Sequence, residues 1–259
     1  MTALKIEITI DGTLVTQSEL AKVQELRIKH VLQEMKALGA DIEPSATEIN
    51  YLPYPDAKAL LLDTKSKYAD LEAMKALYKE PLAAANDFWK DVASHSDGNQ
   101  NLQEGKVFMH IEGVSMPQLQ QVLGSELGSD FAAIINPEHF YSVGDTIKGQ
   151  HIIETFGMFG EPTEMLLFPE TGDFKPVTPD PSYPIQMNGY TTLADGDDLG
   201  LGWRAFHQIR PTATGFDAIL AAYLPSAAPI DMINGHKWHL AIEFSEMIKY
   251  VVNNGMPKA

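Results

Sequence analysis

Two histidines and a glutamate lie close together near the C-terminus, at His236, His239 and Glu243. Apolar residues recur there at helical spacing, which predicts a helix over about 234–252 that opens at Gly235. Residues four apart on a helix share a face, so His239 and Glu243 point the same way and His236 lies in the same arc. A histidine nitrogen and a carboxylate oxygen one turn apart can bind a first-row cation such as zinc. A solvated or capping pair has the same spacing, so a metal site requires further ligands from elsewhere in the chain.

The composition excludes several other chemistries. The 259-residue chain has a net charge of −16 and contains no cysteine. Nucleic acids and anionic membranes attract basic proteins, so we expect neither as a partner. Without thiols, any metal must be held by His, Asp and Glu. The sequence also lacks a Gly-x-Ser-x-Gly motif, a Walker motif and a dinucleotide-binding fingerprint.

Neither a leader nor a membrane segment is predicted. The N-terminus has no apolar run preceded by basic residues, and no apolar stretch approaches the roughly 18–20 residues that span a bilayer. We therefore expect a cytoplasmic protein that acts on a small molecule.

The first hundred residues are predicted to be mainly helical. A hairpin is expected around the turn dipeptide at Asp11, and a polar, Gly/Asn-rich stretch over 96–101 marks a boundary. We therefore predict a helical region over 1–102 that forms a homodimer, and a second domain over 103–259. The expected elements of the first region are the hairpin over 6–16 and helices over 17–38, 56–78 and 81–95.

The second region is predicted to contain mainly strands, in contrast to the helical first region. It begins with a strand and a helix, continues with several antiparallel strands and ends with the long helix. This order is typical of an α+β protein of the helix-grip class, which is START-like and birch-allergen-like. In that class a curved antiparallel sheet wraps around a C-terminal helix and leaves a cavity between them. The expected strands cover 106–114, 151–156, 164–169, 185–193, 201–210 and 215–224, with a helix over 116–127 and a loop over 172–184.

Further candidate ligands lie on these strands and turns. Glu154 is the most informative, because an ionised carboxylate within an apolar strand is costly unless it is paired or bound to a metal. His139 follows a proline turn and can equally be an exposed turn residue, and His207 can equally be a hydrogen-bonded core residue. His110 and His151 also lie on predicted strands, without an assignable role.

The order of these motifs over about 103–252 resembles the family of diacetylphloroglucinol hydrolase and phloretin hydrolase. These are zinc enzymes that hydrolyse the carbon–carbon bond between an acyl group and a phenolic ring. In one segment Asn136 stands where the family has the first histidine of a His-Pro-x-x-His motif. The similar segments are 107–111 with 116–119, 136–139, 149–154, 206–215 and 239–243.

The resemblance implies a set of site residues. His139, Glu154, His239 and Glu243 would ligate one zinc ion, and His236 would fall outside this set. His207 would be a catalytic acid/base with an unperturbed pKa, and Glu154 would belong to the catalytic residues as well. If the strand is misplaced, the alternatives to Glu154 are Glu161 and Glu164.

The resemblance also implies how the substrate is bound, with one departure. Tyr223 matches a family tyrosine that contacts a ring hydroxyl. The family's tryptophan-rich helix is replaced by 120–127, which contains no aromatic residue. We therefore expect the metal centre to be kept while the substrate differs. The expected function is hydrolysis of a C–C bond next to a carbonyl, in an acylated phenol or a 1,3-diketone. The alternatives are a non-catalytic small-molecule carrier and a metal-dependent isomerase or cyclase.

Overall fold

A computed structural model of the chain describes residues 3–123, 128–145, 147–170, 177–195, 199 and 203–254. The described residues form an α+β structure in which nine strands make one antiparallel sheet, in the order β2-β1-β3-β9-β8-β7-β6-β5-β4. The strands are β1 (Lys5–Ile10), β2 (Thr13–Val15), β3 (Gln103–Glu112), β4 (His139–Asp145), β5 (Gly149–Glu154), β6 (Thr163–Pro169), β7 (Ile185–Leu193), β8 (Arg204–Pro211) and β9 (Gly215–Leu224). The α+β class, the antiparallel sheet and the C-terminal helix are confirmed, and the arrangement is compatible with a helix-grip fold.

In the part of the chain that the structure describes, five helices lie between β2 and β3, two lie between β3 and β4, and one follows β9. The longest is the C-terminal helix, which packs against β3 and β9. The helices are α1 (Gln17–Ala37), α2 (Ala46–Tyr51), α3 (Tyr54–Ser66), α4 (Leu71–Leu77), α5 (Lys79–His95), α6 (Met116–Leu123), α7 (Ser129–Ile135) and α8 (Ile230–Asn254). Among the described helices, not one combines the length and the hydropathy that crossing a lipid bilayer requires.

The predicted single helix over 56–78 is wrong, because the chain forms two helices there. Asp70 ends the connection between α3 and α4, and its carboxylate accepts hydrogen bonds from the first backbone N–H groups of α4. A further helix, α2, lies over residues for which no helix was predicted. It begins with a reciprocal capping box between Ser45 and Glu48.

The predicted start of the C-terminal helix is also wrong. Helix α8 begins at Ile230, so Gly235 lies inside it rather than at its opening. The glycine is required for a close contact with the chain after β5: a Cβ on Gly235 would lie 2.3 Å from the carbonyl oxygen of Gly157. This contact brings α8 against the end of β5.

Two short elements near the metal-ligand candidates were not predicted. The apolar run before Asn136 is helix α7, and the residues from His139 onward form strand β4. The predicted helix over 116–127 corresponds to α6 up to Leu123. Its last four residues, together with 172–176 of the predicted loop and the first two residues of the predicted strand over 201–210, lie outside the described residues.

The hydrophobic core has two main parts. One part lies between α8 and one face of the sheet, and it includes Ile111, Leu220 and Ile242. The other joins α1–α4 to residues of β4 and β5, among them Phe140 and Ile153. The N-terminal hairpin pairs with β3 in the same sheet. The division at residue 102 stays a prediction, and the structure shows extensive packing across it.

Candidate metal centre

The four ligands implied by the resemblance lie together at one end of the sheet. His139 is the first residue of β4 and Glu154 the last residue of β5, and the antiparallel register places them opposite each other. His239 and Glu243 approach from one face of α8. The Nε2 atoms of the two histidines are 3.1 Å apart, and His139 Nε2 is 3.2 Å from Glu154 Oε2. His239 Nε2 is 3.8 Å from Glu154 Oε2 and 3.8 Å from Glu243 Oε2.

His236 joins this group, although the resemblance left it out. Two overlapping sets each bring their ligand atoms within 4.8 Å of one another: His139 with His239 and Glu243, and Glu154 with His236 and His239. Buried histidine and glutamate clusters of this kind could hold a metal ion. The signal for His236 was present in the sequence, since it lies three residues before His239 on the same helix face.

Hydrogen bonds to the far side of each ring indicate which nitrogen carries the proton. His239 Nδ1 is 2.9 Å from a carboxylate oxygen of Glu138, and His139 Nδ1 is 3.3 Å from the carbonyl oxygen of Ala132. Both partners only accept hydrogen bonds, so each Nδ1 is the donor. In the neutral rings the two Nε2 atoms therefore carry lone pairs. Three acceptors, the two Nε2 atoms and Glu154 Oε2, then face one another, an arrangement that a cation between them would stabilise.

The spacing of these atoms fits a metal ion. Zinc binds nitrogen and oxygen ligands at about 2.0–2.2 Å, and a tetrahedral arrangement then separates neighbouring ligand atoms by about 3.3–3.5 Å. Four of the separations between ligand atoms bracket this value, at 3.1–3.8 Å: His139 to His239, His139 to Glu154, His239 to Glu154 and His239 to Glu243. Imidazole nitrogens and carboxylate oxygens are also ligand types that zinc accepts. The residues at this site therefore fit a zinc ion.

The ionisation of the cluster also favours a cation. Burial by itself would raise the pKa of Glu154, but the imidazoles of His239 and His139 lower it to about 2. Burial by itself would lower the pKa of His239, yet Glu154 and Glu138 raise it above its ordinary value. The site thus holds Glu154 as a carboxylate and attracts positive charge. Burial lowers the pKa of His236 well below its ordinary value, so this ring is neutral and available as a ligand.

A cavity of about 340 Å³ opens beside these residues. It lies between α8 and the strands β4–β8, and its volume is in the range of small-molecule sites. Phe244 is the one benzene ring among its described lining residues, which agrees with the loss of aromatic residues seen in the sequence. Much of the remaining wall is aliphatic or thioether and includes Ile135, Ile152, Leu167, Met187, Leu240 and Met247.

His207 lines the same cavity from β8. Its ring packs edge-on against Phe244 with the ring centres 5.1 Å apart. The backbone N–H of Ala221 donates to His207 Nδ1 at 3.3 Å, so in the neutral ring Nε2 carries the proton. Burial lowers the pKa of His207 to about 4. The expected unperturbed pKa is therefore wrong, and the ring is a neutral hydrogen-bond donor near pH 7.

Tyr223 is not brought to the cavity. Side chains alternate between the two faces of a strand, and Tyr223 lies on the face of β9 opposite to the one that packs against α8. Its hydroxyl donates to Glu104, and its ring packs with Phe206 and Val177. The implied substrate contact through Tyr223 therefore does not match the structure. For its side chain to face the cavity, Tyr223 would have to lie one position earlier or later in β9.

The other histidines and acidic candidates also lie elsewhere. His110 contacts Asp217 on the sheet, and His151 contacts Glu164, with ring nitrogen to carboxylate distances of 2.6 and 2.8 Å. Glu161 is exposed. Because Glu154 itself lies beside His139 and His239, neither Glu161 nor Glu164 is needed in its place.

Two buried residues of the turn before β4, Asn136 and Glu138, were missed as parts of the site. Asn136, which stands in place of a family histidine, donates from Nδ2 to the carbonyl oxygen of His239 at 3.2 Å. Its Oδ1 accepts the backbone N–H of Glu138 at 2.9 Å. Asn136 therefore ties the turn to α8 instead of offering a ligand. No local pattern signals this role, because it depends on the docking of α8.

No known family model matches this chain, and a comparison with curated proteins yields no match. Membership of the family of diacetylphloroglucinol hydrolase and phloretin hydrolase stays a prediction from the motifs. The case for the metal centre therefore depends on the geometry of the site.

Proposed function

We propose that this chain is a zinc-dependent hydrolase that cleaves a carbon–carbon bond next to a carbonyl group. The observation that carries the proposal is the convergence of His139, Glu154, His239 and Glu243 at a cavity that also contains His207. Two imidazoles and two carboxylates are a ligand set of the kind that catalytic zinc sites use. In keeping with the order of elements, we also assign the fold to the helix-grip class.

The reaction has a simple atom balance. Water adds to the carbonyl carbon, the bond to the neighbouring carbon breaks, and its electron pair leaves as an enolate or phenolate-type carbanion. That carbon then takes up a proton, which gives a carboxylic acid and a ketone or phenol. A zinc ion, when bound, supplies a Lewis acid for the carbonyl oxygen and lowers the pKa of a coordinated water.

His207 has a defined task in this reaction. Because its Nδ1 accepts the amide of Ala221, its Nε2–H is the group left to donate a hydrogen bond within the cavity. Such a bond stabilises negative charge as it develops on the enolate oxygen. The acid role implied by the resemblance would require a protonated ring, which the lowered pKa of His207 disfavours. The base role would require a lone pair on Nε2, but this nitrogen carries the proton because Nδ1 accepts the amide of Ala221. We therefore propose His207 as an electrostatic catalyst.

The cavity favours a substrate with little aromatic surface. Its described wall offers one benzene ring, that of Phe244, against several aliphatic and thioether side chains. Among the two expected substrate classes, this supports a 1,3-diketone with alkyl substituents over an acylated phenol. Methionine side chains such as Met187 and Met247 adapt to flexible ligands.

The test combines metal analysis with product detection. Protein purified without chelator is expected to contain one zinc ion per chain by mass spectrometry of the metal, and His239→Ala is expected to contain none. A panel of alkyl 1,3-diketones and acylated phenols is then incubated with the zinc-loaded protein, and released carboxylic acid is measured. We expect His207→Gln to keep the metal and to lower kcat by about 10²–10³-fold, the usual effect of removing one charge-stabilising donor.

Different outcomes separate the alternatives. Metal-free protein that stays metal-free on addition of zinc would contradict the metal centre and favour a non-catalytic carrier. Rearranged product without released acid would identify an isomerase or cyclase instead. Wild-type activity in His207→Gln would remove His207 from the mechanism while leaving the metal site intact.

A further inference from the structure

Glu138 connects the metal centre to the N-terminal helices. It lies in the turn before β4, next to the ligand His139, and its side chain is 0% exposed. Its Oε2 accepts the Nδ1–H of His239 at 2.9 Å. This bond fixes the proton on Nδ1 and leaves the lone pair of Nε2 directed at the other ligands. A carboxylate in this position orients the ring and makes it a stronger metal ligand.

Glu138 is in turn held by Arg27 of α1. The Nη1 group of Arg27 donates to the same Oε2, and its Nη2 group donates to the carbonyl oxygen of Gly235 at 2.8 Å. Gly235 lies one helical turn before His239. The guanidinium is 3% exposed and cannot lose its proton, so it provides a permanent positive charge beside Glu138. Arg27 thus contacts both the carboxylate behind His239 and the helix that carries it.

A second basic side chain from the same region supports the other histidine. The side-chain nitrogen of Lys65 on α3 donates to the carbonyl oxygen of Pro137 at 2.6 Å and to that of His139. These bonds fix the backbone of the turn that ends in His139. Both proposed histidine ligands are therefore supported by buried basic side chains from helices within the first hundred residues.

We propose that Arg27 is a positioning residue of the metal centre, which acts through Glu138 to fix the proton and the orientation of His239. This inference rests on the proposed metal centre. Lys65 supports His139 in parallel, through the backbone. The N-terminal helices are then part of the metal-binding machinery in addition to any role in association of chains.

A purely structural role for Arg27 is the competing explanation. The ion pair joins α1 to the turn before β4 and could simply hold these elements together. The two explanations differ in what they predict for the metal. A positioning role changes the affinity and the ligand field of the ion in a protein that remains folded, whereas a structural role changes stability alone.

The experiment compares Arg27→Met, Arg27→Lys and Glu138→Gln with the wild type. Zinc affinity is measured by competition with a chromogenic chelator, and the visible absorption spectrum of the cobalt-substituted protein reports the ligand geometry. Folding is checked by circular dichroism. We expect Arg27→Met and Glu138→Gln to weaken zinc binding by about 10–100-fold, the usual cost of losing a partner behind a metal ligand. Arg27→Lys, which keeps the charge, is expected to recover part of the affinity.

Lys58→Met is the matched control. Lys58 of α3 donates to Glu246 of α8 at 2.7 Å, so it also joins an N-terminal helix to the helix that carries His239. It contacts none of the proposed ligands. We expect this variant to bind zinc and to show the cobalt spectrum of the wild type.

The outcomes distinguish the inference from the proposed function. If the wild type binds zinc and folded Arg27→Met binds it equally well with an unchanged cobalt spectrum, Arg27 is structural only and the inference is wrong. If Lys58→Met weakens binding as much as Arg27→Met, the effect is one of helix docking and the inference is also wrong. If the wild type binds no zinc, the metal centre itself is wrong. Should Arg27→Met not fold, Arg27→Lys decides by the same criteria, since it keeps the positive charge but not both hydrogen bonds to Glu138 and Gly235.

Discussion

At the scale of single residues, the site is defined by acceptors that face one another. The rings of His139 and His239 each direct their N–H to a group behind them, Ala132 and Glu138. Their remaining nitrogens meet Glu154, whose pKa is about 2 although burial opposes its charge. Lone pairs directed at one another repel unless a cation lies between them. The protonation pattern, in addition to the residue types, is what allows this cluster to hold a metal ion.

The position of Tyr223 in the structure differs from the role that the resemblance implies, and a substitution can test that role. Since its hydroxyl donates to Glu104 on the far face of the sheet, we expect Tyr223→Phe to leave kcat/KM for the best 1,3-diketone or acyl-phenol substrate within about twofold of the wild type. The measurement is the initial rate of acid release. Phe244→Leu, which alters the cavity wall, is the comparison and is expected to change KM. A loss of more than tenfold in folded Tyr223→Phe would show that this tyrosine reaches the substrate.

At the scale of elements, two glycines set the position of α8. Gly157 has a φ of +69°. Its backbone lies so close to Gly235 that a Cβ added to Gly157 would be 2.0 Å from the carbonyl carbon of Gly235. The contact holds the end of β5, which carries Glu154, against the helix that carries His239. Backbone groups form this contact from both sides, so it cannot be relieved by moving a flexible side chain.

We expect Gly157→Ala to lower the free energy of unfolding by roughly 2–5 kcal/mol, from left-handed strain together with the clash. Gly235→Ala is the sharper case. Alanine favours a helix by about 1 kcal/mol over glycine, yet the variant is expected to be less stable because its Cβ would lie 2.3 Å from the carbonyl oxygen of Gly157. Both are measured by urea unfolding.

Gly12→Ala is the control, because Gly12 has φ of +78° and a Cβ added there would meet no atom within 4 Å. It should cost only the backbone strain, about 1–2 kcal/mol. A stabilised Gly235→Ala would contradict the close approach of the two glycines.

The same elements show what the sequence could and could not predict. Periodicity identified the strands other than β4 and also α8, because each buries one continuous apolar face. It misplaced the start of α8, because a glycine is typical of the start of a helix. In the structure Gly235 instead lies inside α8, where it allows close contact with Gly157. It also missed the α7–β4 turn as a structural unit. The bonds that Asn136 makes to His239 depend on how α8 docks, which local pattern does not encode.

At the scale of the whole molecule, charge accumulates on the sheet away from the cavity. His110 Nδ1 lies 2.6 Å from Asp217, its Nε2 lies 3.2 Å from Glu112, and Arg210 also contacts Asp217. The hydrogen bond to Asp217, followed by that to Glu112, raises the pKa of His110. Although burial raises the pKa of Asp217, His110 and Arg210 lower it below its ordinary value.

These shifts predict a pH dependence of stability. A raised pKa means that protonated His110 stabilises the fold below its ordinary pKa of about 6.5, and this contribution is lost as the pH rises through the raised value. The contribution of ionised Asp217 is present above about pH 4 and is lost at more acidic pH. Between pH 6 and pH 9, the free energy of unfolding should therefore fall more in the wild type than in His110→Gln. Urea unfolding at both pH values measures this difference.

His30→Gln serves as the control, since His30 is exposed on α1. It should keep the pH dependence of the wild type. If the free energy of unfolding fell equally with pH in the wild type and in His110→Gln, protonation of His110 would not contribute to stability.

The two histidine ligands are 100 residues apart in the sequence, and Arg27 lies 111 residues before Glu138. An unfolded chain would have to close very large loops to bring these groups together, and that entropy opposes binding of an ion before folding. Zinc, when bound, would therefore favour the native state by linking β4 and β5 to α8 across about 100 residues of the chain. Removal of the ion by a chelator would then lower the free energy of unfolding.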